Sequence, residues 1–527
     1  MDNDERTSST SLCLLYLARG RSEVYSGISK YSFPDDFIFG VATSAYQIEG
    51  AWNEEGKGES IFDTFIHLHP EYTPDRSNGD VAADSYHHYM DDIELIKKLG
   101  VSHYRMSISW PRILPNGTAD YINLKGVMHY RKLFVELLKA NIIPVVTIYH
   151  WDIPTALEGL GLWKNTTLVD YLVDYARILF HLYGDLVKIW VTINEPDIVC
   201  ADGIKFNKYL PEEARHGLNE YVCIHNMLLA HARVYRLYEK EFKPYQNGKV
   251  GLCLDVIWPE PKNPGNPEDL KAGEIYSRMR IGIYAHLIFS EDGDYTPFVR
   301  ERVNSKSYKQ GYLQSRLPYY TKAEVKALQG SADFLGINHY TSFLASQSSS
   351  EPSWAVPSMD QDTGVRLDKT KAWARPGADW LSVYPPGMRK VLNWLQNNFK
   401  LLEHIPIIIT ENGLSDFGQT LDYERVSYYN EYLYQILLAI HEDGCNIKGY
   451  FAWSLLDTFE WNYGYTVTFG LFKVDFKSPN KTRTPKLSAY NYANIVRTRR
   501  IDFDFIKAPV TYNIWQYIDY YSSKQNY

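Results

Sequence analysis

Short apolar runs rich in Val, Ile, Tyr and Phe alternate along the chain with longer stretches whose apolar residues recur at three- and four-residue steps. Runs of the first kind suit strands buried on both faces and stretches of the second suit amphipathic helices, so the alternation predicts repeated βα units around a parallel sheet. The strands are expected at Phe37 to Ser44, His103 to Ile108, Ile143 to Tyr149, Ile189 to Glu195, Val250 to Val256, Phe334 to Tyr340, Ile407 to Glu411 and Ile447 to Ser454. Eight such strands, each followed by a helix, close into one barrel, which makes the fold class α/β with a single (β/α)8 TIM barrel and elaborated βα loops. Between strands, Tyr86, Tyr89, Met90, Ile93, Ile96 and Leu99 mark one helix face, expected to pack on the barrel, and Gly100 supplies its stop. Leu168 to Tyr183 and Tyr221 to Tyr238 read as further helices, whereas Trp258 to Pro267 and Thr341 to Pro386 read as loops at the rim of a pocket. The expected organisation is a barrel domain over 33–505, with peripheral extensions at 1–32 and 506–527.

Composition narrows this picture. The chain has 527 residues, 45% apolar and 22% charged, enough for a large core and outside the disordered class. A net charge of −8 without a basic stripe leaves no footprint for a nucleic-acid partner. No apolar run approaches the roughly 20 residues of a membrane span. Cys13, Cys200, Cys223, Cys253 and Cys445 form neither a C-x-x-C pair nor an even framework, so they read as buried thiols, and no metal or organic cofactor is called for. Cys200 and Cys223 could pair in an oxidising compartment, but spacing alone does not establish it. Leu12 to Ala18 has the apolar character of a short signal segment, although Asp2, Asp4 and Glu5 precede it against a single Arg6. Sequons at Asn116, Asn165 and Asn480 would make a glycoprotein only of a secreted chain.

The chemistry lies in two short segments, Thr192-Ile193-Asn194-Glu195-Pro196 and Thr410-Glu411-Asn412-Gly413, each setting a glutamate just after a β-branched run. Carboxylates at the carboxyl ends of barrel strands project into the mouth, where barrels carry their active sites. Cleaving a glycosidic bond with retention needs one protonated and one ionised carboxyl, about 5 to 5.5 Å apart. Arg105, inside the second strand, is the expected positive partner that keeps Glu411 ionised, and the charge of Glu411 would in turn keep the proton on Glu195. Taken alone, a glutamate near a strand end is more often a salt-bridge or capping residue; the surrounding segments decide.

Those segments are Phe39 to Gly50, Tyr104-Arg105-Met106-Ser107-Ile108-Ser109-Trp110, Tyr149-His150-Trp151-Asp152, the two glutamate segments, Trp453-Ser454-Leu455-Leu456-Asp457 and Phe459-Glu460-Trp461. Together they make the chain resemble family 1 glycoside hydrolases, the β-glucosidase family, from Phe33 to about Ile501. Phe242-Lys243-Pro244 and Asn247-Gly248-Lys249 look most like the insect branch, which includes β-glucosidases and aphid-type myrosinases. The resemblance implies that Glu195 is the acid/base and Glu411 the nucleophile. It further implies that Gln47, His150, Asn194, Glu460 and Trp461 grip the glycone hydroxyls, that Tyr340 hydrogen-bonds the nucleophile and that Trp453 floors the pocket, with Arg105 and Asn338 in support. The partner implied is a small-molecule β-glycoside, while the oligomeric state, a homodimer included, stays open.

Departures from the family pattern fall outside the catalytic residues. Gly161-Leu162-Trp163 replaces Gly-Gly-Trp, and Ile193 stands where phenylalanine is common; both changes are apolar and expected to be tolerated. Gly203-Ile204 and the run Lys205 to Arg215 differ where the aglycone would be met. Glu460 would repel a 6-phosphoglycoside, and Glu195 argues against the plant myrosinase type, which carries glutamine there. An insect-type thioglucosidase keeps both glutamates and remains the alternative. A non-catalytic glycan-binding or receptor-like paralogue would be marked by loss of a catalytic glutamate, and neither is lost.

Overall fold

Eight strands form the frame: β1 (Ile38–Ala42), β2 (His103–Ser107), β3 (Ile143–Tyr149), β4 (Ile189–Asn194), β5 (Lys249–Asp255), β6 (Leu335–Asn338), β7 (Ile407–Asn412) and β8 (Ile447–Trp453). In the computed structural model, which describes residues 25–202, 217–348 and 358–505, they pair in chain order, all parallel, and β8 closes on β1. This is the (β/α)8 barrel expected from the alternation of apolar patterns. The expected signal segment, Cys13, the run Gly203 to Arg215 and the extension 506–527 lie outside the described residues. Within the expected N-terminal extension, the Ser29 N–H donates to the Ile501 carbonyl at 2.8 Å and Ile28 bridges Asp502, so residues 25–32 run against 501–505.

The helices bury the stripes that their sequences present. In Thr167–Tyr183, Leu168, Leu172, Ala176, Leu179 and Tyr183 are buried at three- and four-residue steps, each large side chain contributing about 1.5–3 kcal/mol of transfer free energy. The helix Ser85–Leu99 stops at Gly100, which adopts φ +72°. It departs from expectation at one place: Met90 is 45% exposed and Leu95 is buried instead. His88 has φ −104°, ψ 16°, inside the helix, and this break shifts the phase of the face between the first turn and the rest.

One expectation needs correction. The rim segments read as loops contain a small sheet, in which Trp258–Pro261 pairs in parallel with Ser342–Gln347, and Ser342–Gln347 pairs antiparallel with Val365–Asp368. Pro259 and Pro261 disguise the first strand, because proline is tolerated where a strand makes few ladder bonds. Cys200 and Cys223, whose pairing spacing leaves open, are joined in a disulfide with Cα atoms 5.5 Å apart, while Cys253 and Cys445 are buried and free as expected of buried thiols. The helix Gly217–Leu237 returns Cys223 to the end of β4, a proximity invisible to spacing along the chain. Leu162, where the resemblance has glycine, sits at φ +53°, so it carries a left-handed backbone cost that its apolar character does not suggest.

Candidate active site

The strands that lead to the two glutamates are the ones whose register breaks. β4 slips against β5 between Val191 and Asn194, and β7 slips against both neighbours between Ile409 and the Glu411-Asn412 pair. Such bulges re-aim side chains, and here they turn Asn194 and Glu411 into the barrel. Glu195 follows in the left-handed region at φ +48°, as do Trp151 at +76° and Trp461 at +49°. For non-glycine residues this costs about 1–3 kcal/mol each, a cost that the surrounding packing must offset and one that clusters where function resides.

Inside the mouth the polar groups form one connected network. Arg105, fully buried on β2, donates from one Nη to Glu411 Oε1 and to the Thr410 carbonyl at 3.2 Å, and from the other to Asn194 Oδ1 at 2.6 Å. Tyr340 Oη donates to Glu411 Oε2 at 2.6 Å, so both oxygens of that carboxylate are held. Asn338 Nδ2 donates to Asn194 Oδ1 at 3.1 Å and to Glu195 Oε1, which links the two glutamates through Arg105, Asn194 and Asn338. Glu195 is buried, and its pKa is driven well above the ordinary carboxylate range by desolvation first and by the charge of Glu411 second. One carboxyl therefore holds a cation and the other holds a proton, the division of labour that retaining glycoside cleavage requires.

The remaining residues join the same set of contacts. Gln47 Nε2 donates to the Phe459 carbonyl at 2.9 Å and to Glu460 Oε1 at 3.3 Å. Burial pushes the Glu460 carboxyl up to about 7, against hydrogen bonds from Thr458 and Trp453 that pull it down. His150 is desolvated well below its ordinary pKa and hence neutral; its Nε2 lies 3.3 Å from Asn194 Nδ2, and its buried Nδ1 has no protein partner among the described residues. The His150 ring lies nearly parallel to Trp453 and to Trp461, with centroids 6.2 and 6.4 Å away. Trp461 itself stacks on Tyr46 beside Trp151 and Phe62. Gly413 lets the turn after Glu411 lie directly against the Trp453 carbonyl, since a Cβ there would collide with it. Gln47, His150, Asn194, Glu195, Tyr340, Glu411, Trp453, Glu460 and Trp461, with Arg105 and Asn338, are thus joined by contacts at one end of the barrel.

Sequence reading missed the layer beneath. Cys253 Sγ lies 2.9 Å from Asn338 Oδ1 and 2.8 Å from Thr410 Oγ1, and Thr410 Oγ1 donates to Asn338 Oδ1 at 2.7 Å. Asn412 Nδ2 donates to Tyr428 Oη at 2.8 Å, fixing the strand end from behind. The legible signal for the first group was alternation in β5, where Gly251, Cys253 and Asp255 are small or polar between large apolar neighbours.

Comparison with known proteins agrees with this geometry. The model of glycosyl hydrolase family 1 matches residues 29–501. The chain is 43% identical to Myrosinase 1 of Brevicoryne brassicae over 469 residues, covering 89% of this chain and 99% of that protein. It is 40% identical to the cytosolic β-glucosidase of Cavia porcellus, with 89% and 99% covered. The structure of an aphid myrosinase superposes with a TM-score of 0.83 at 43% identity, covering 89% of this chain and 99% of that one. A rice β-glucosidase solved in a covalent complex with Glc follows with 0.82 at 36% identity and the same coverage. The chain belongs to glycosyl hydrolase family 1 and is a glycoside hydrolase.

Proposed function

We propose that the enzyme is a β-glucosidase-like hydrolase that removes a terminal, non-phosphorylated β-D-glycosyl residue with retention, using Glu411 as nucleophile and Glu195 as acid/base. The observation that carries this reading is the unequal sharing of Arg105, which pairs with Glu411 and leaves Glu195 buried with an amide partner and its proton. In the first half-reaction Glu411 attacks the anomeric carbon while Glu195 gives its proton to the departing oxygen. Glycosylation removes the charge of Glu411, the pKa of Glu195 falls, and Glu195 then takes a proton from the water that releases the sugar. The neutral His150, Gln47 and Asn194 supply donors and acceptors for sugar hydroxyls, Glu460 accepts from two of them, and Trp453 and Trp461 provide the apolar face. The covalent Glc complex of the rice relative supports an intermediate of this kind.

The direct test is a mechanism-based trap. A 2-deoxy-2-fluoro-β-glucoside with a good leaving group should inactivate the enzyme and add one sugar mass to the peptide bearing Glu411; labelling elsewhere would refute the assignment. An insect-type thioglucosidase is the second reading, kept by the 43% identity to Myrosinase 1. Side-by-side kcat/KM values for aryl β-glucosides, salicin, cellobiose and a glucosinolate decide between them. Passage through the secretory route is supported by the Cys200–Cys223 disulfide and by exposed sequon asparagines Asn116 and Asn480. Asn165 is less accessible, its amide donating to the Leu160 carbonyl at 3.0 Å. Endoglycosidase treatment of protein from the native source should remove mass at Asn116 and Asn480.

A further inference from the structure

The wall of the mouth beside Glu195 carries a carboxylate that the double-displacement scheme does not use. In β5, Cys253 faces the barrel interior, as its contacts with Asn338 and Thr410 show, so Asp255, two residues on, lies on the same face one step nearer the mouth. Asp255 is the register partner of Asn338, whose amide holds Glu195, and the Glu195 N–H donates to the Cys253 carbonyl at 2.9 Å. Asp255 is half-buried at the strand end, whereas Glu195 beside it is buried.

We propose that Asp255 is a positioning residue for the acid/base Glu195, a second carboxylate at the end of β5 that faces it in both half-reactions and sets the alkaline limit of turnover. The charge of Glu411 acts only until that residue is glycosylated; the charge of Asp255 persists. Glu195 therefore keeps its proton more firmly for the leaving group and is a stronger base toward water afterwards. The groups facing Glu195 from each side are Glu411 on β7, Arg105 on β2, Cys253 and Asp255 on β5, Asn338 and Tyr340 at β6, and Asp197 on its own loop. Burial and the charge of Glu411 hold the proton on Glu195, and Asp255 acts in the same direction. Arg105 is committed to Glu411 and Asn194.

This inference rests on the acid/base assignment of Glu195, and the experiment separates the two. The pH dependence of kcat/KM is measured for 4-nitrophenyl and alkyl β-glucosides in the wild type, Asp255→Asn, Asp255→Glu and Glu195→Gln. Removing the charge should move the alkaline limb of Asp255→Asn downward by roughly half to one pH unit, and Asp255→Glu should restore it. If the amide variant fails to fold, Asp255→Ser removes the same charge. An unmoved limb in a folded, uncharged variant overturns the proposal, and so does a rise in KM at every pH with the limb in place, which would make Asp255 an aglycone contact only. A wild type without turnover, or a limb that survives in Glu195→Gln, would instead refute the function proposed above.

Discussion

Two clusters of buried carboxylates lie at the carboxyl end of the barrel, and their charge balance differs. Behind β8, Asp416, Asp422 and Asp457 share Arg425 and Lys486: Arg425 reaches Asp416 at 2.8 Å and also pairs with Asp422, and Lys486 reaches Asp457 at 2.7 Å. Backbone N–H groups of Ser488 and Gly470 fill further acceptor positions on Asp422 and Asp457. Burial pushes the Asp416 carboxyl up, but Arg425 and then Lys486 bring it below its ordinary value. At the mouth, Glu195, Glu411 and Glu460 have Arg105 as their cation among the described residues, and it touches Glu411. Burial then wins, with Glu195 driven well upward and Glu460 reaching about 7. Two cations for three carboxylates hold Asp416 below its ordinary value although burial still raises Asp422 and Asp457; one cation for three at the mouth leaves burial to set Glu195 and Glu460.

The strongest test of this contrast is Glu411→Gln, which removes the carboxylate that Arg105 holds at the mouth. Turnover should fall by about four to six orders of magnitude, as for other covalent nucleophiles, and near wild-type kcat on an aryl glucoside would end the distinction. Glu195→Gln removes the protonated member. Alkyl glucosides should lose about 10²- to 10⁴-fold in kcat/KM, while dinitrophenyl glucosides lose far less in the glycosylation step. Azide should rescue that variant as the β-glycosyl azide, and equal loss on both substrate classes would exclude proton donation.

Stability measurements probe the other side. Arg425→Met and Arg105→Met each strand buried carboxylates and should cost about 3–5 kcal/mol in denaturant unfolding. Of the two, Arg105→Met should also impair kcat/KM in the folded fraction; equal kinetic damage from Arg425→Met would merge the clusters. The smallest effect is a pH dependence. Glu460 has a folded pKa near 7 against an ordinary value of 4.5, so between these the native state binds more protons than the unfolded chain. Stability contributed by this group is therefore lost as pH rises from 4.5 to 7, by about 3 kcal/mol in total, and is constant below and above that window. Glu460→Gln should flatten that slope in urea unfolding, and an unchanged slope would assign it to other groups.

The frame was legible because strand patterns depend on local apolar runs, and β3 (Ile143–Tyr149) coincides with its expected limits. Glu195 and Glu411 could be named because they stand at strand ends, with Arg105 inside a strand beside them, whereas the residues around them were named from the resemblance to family 1. What stayed hidden depends on neighbours distant in the chain. The register breaks ahead of Asn194 and Glu411 are properties of strand pairs, the disulfide depends on the return of a long helix, and the exposure of Met90 follows from a break at His88. The rim sheet around Trp258 was masked by its prolines, and the place of Asp255 beside Asn338 follows only from the pairing of β5 with β6.

Because Gly413 brings the main chain after the nucleophile flush against the Trp453 carbonyl, any side chain there would force the attacking group and the floor under the sugar apart. Engineering aimed at the sugar ring must move both at once and will tend to forfeit rate, whereas the aglycone rim can be rebuilt without disturbing the reaction centre. New leaving groups should accordingly be far easier to evolve on this scaffold than new sugars.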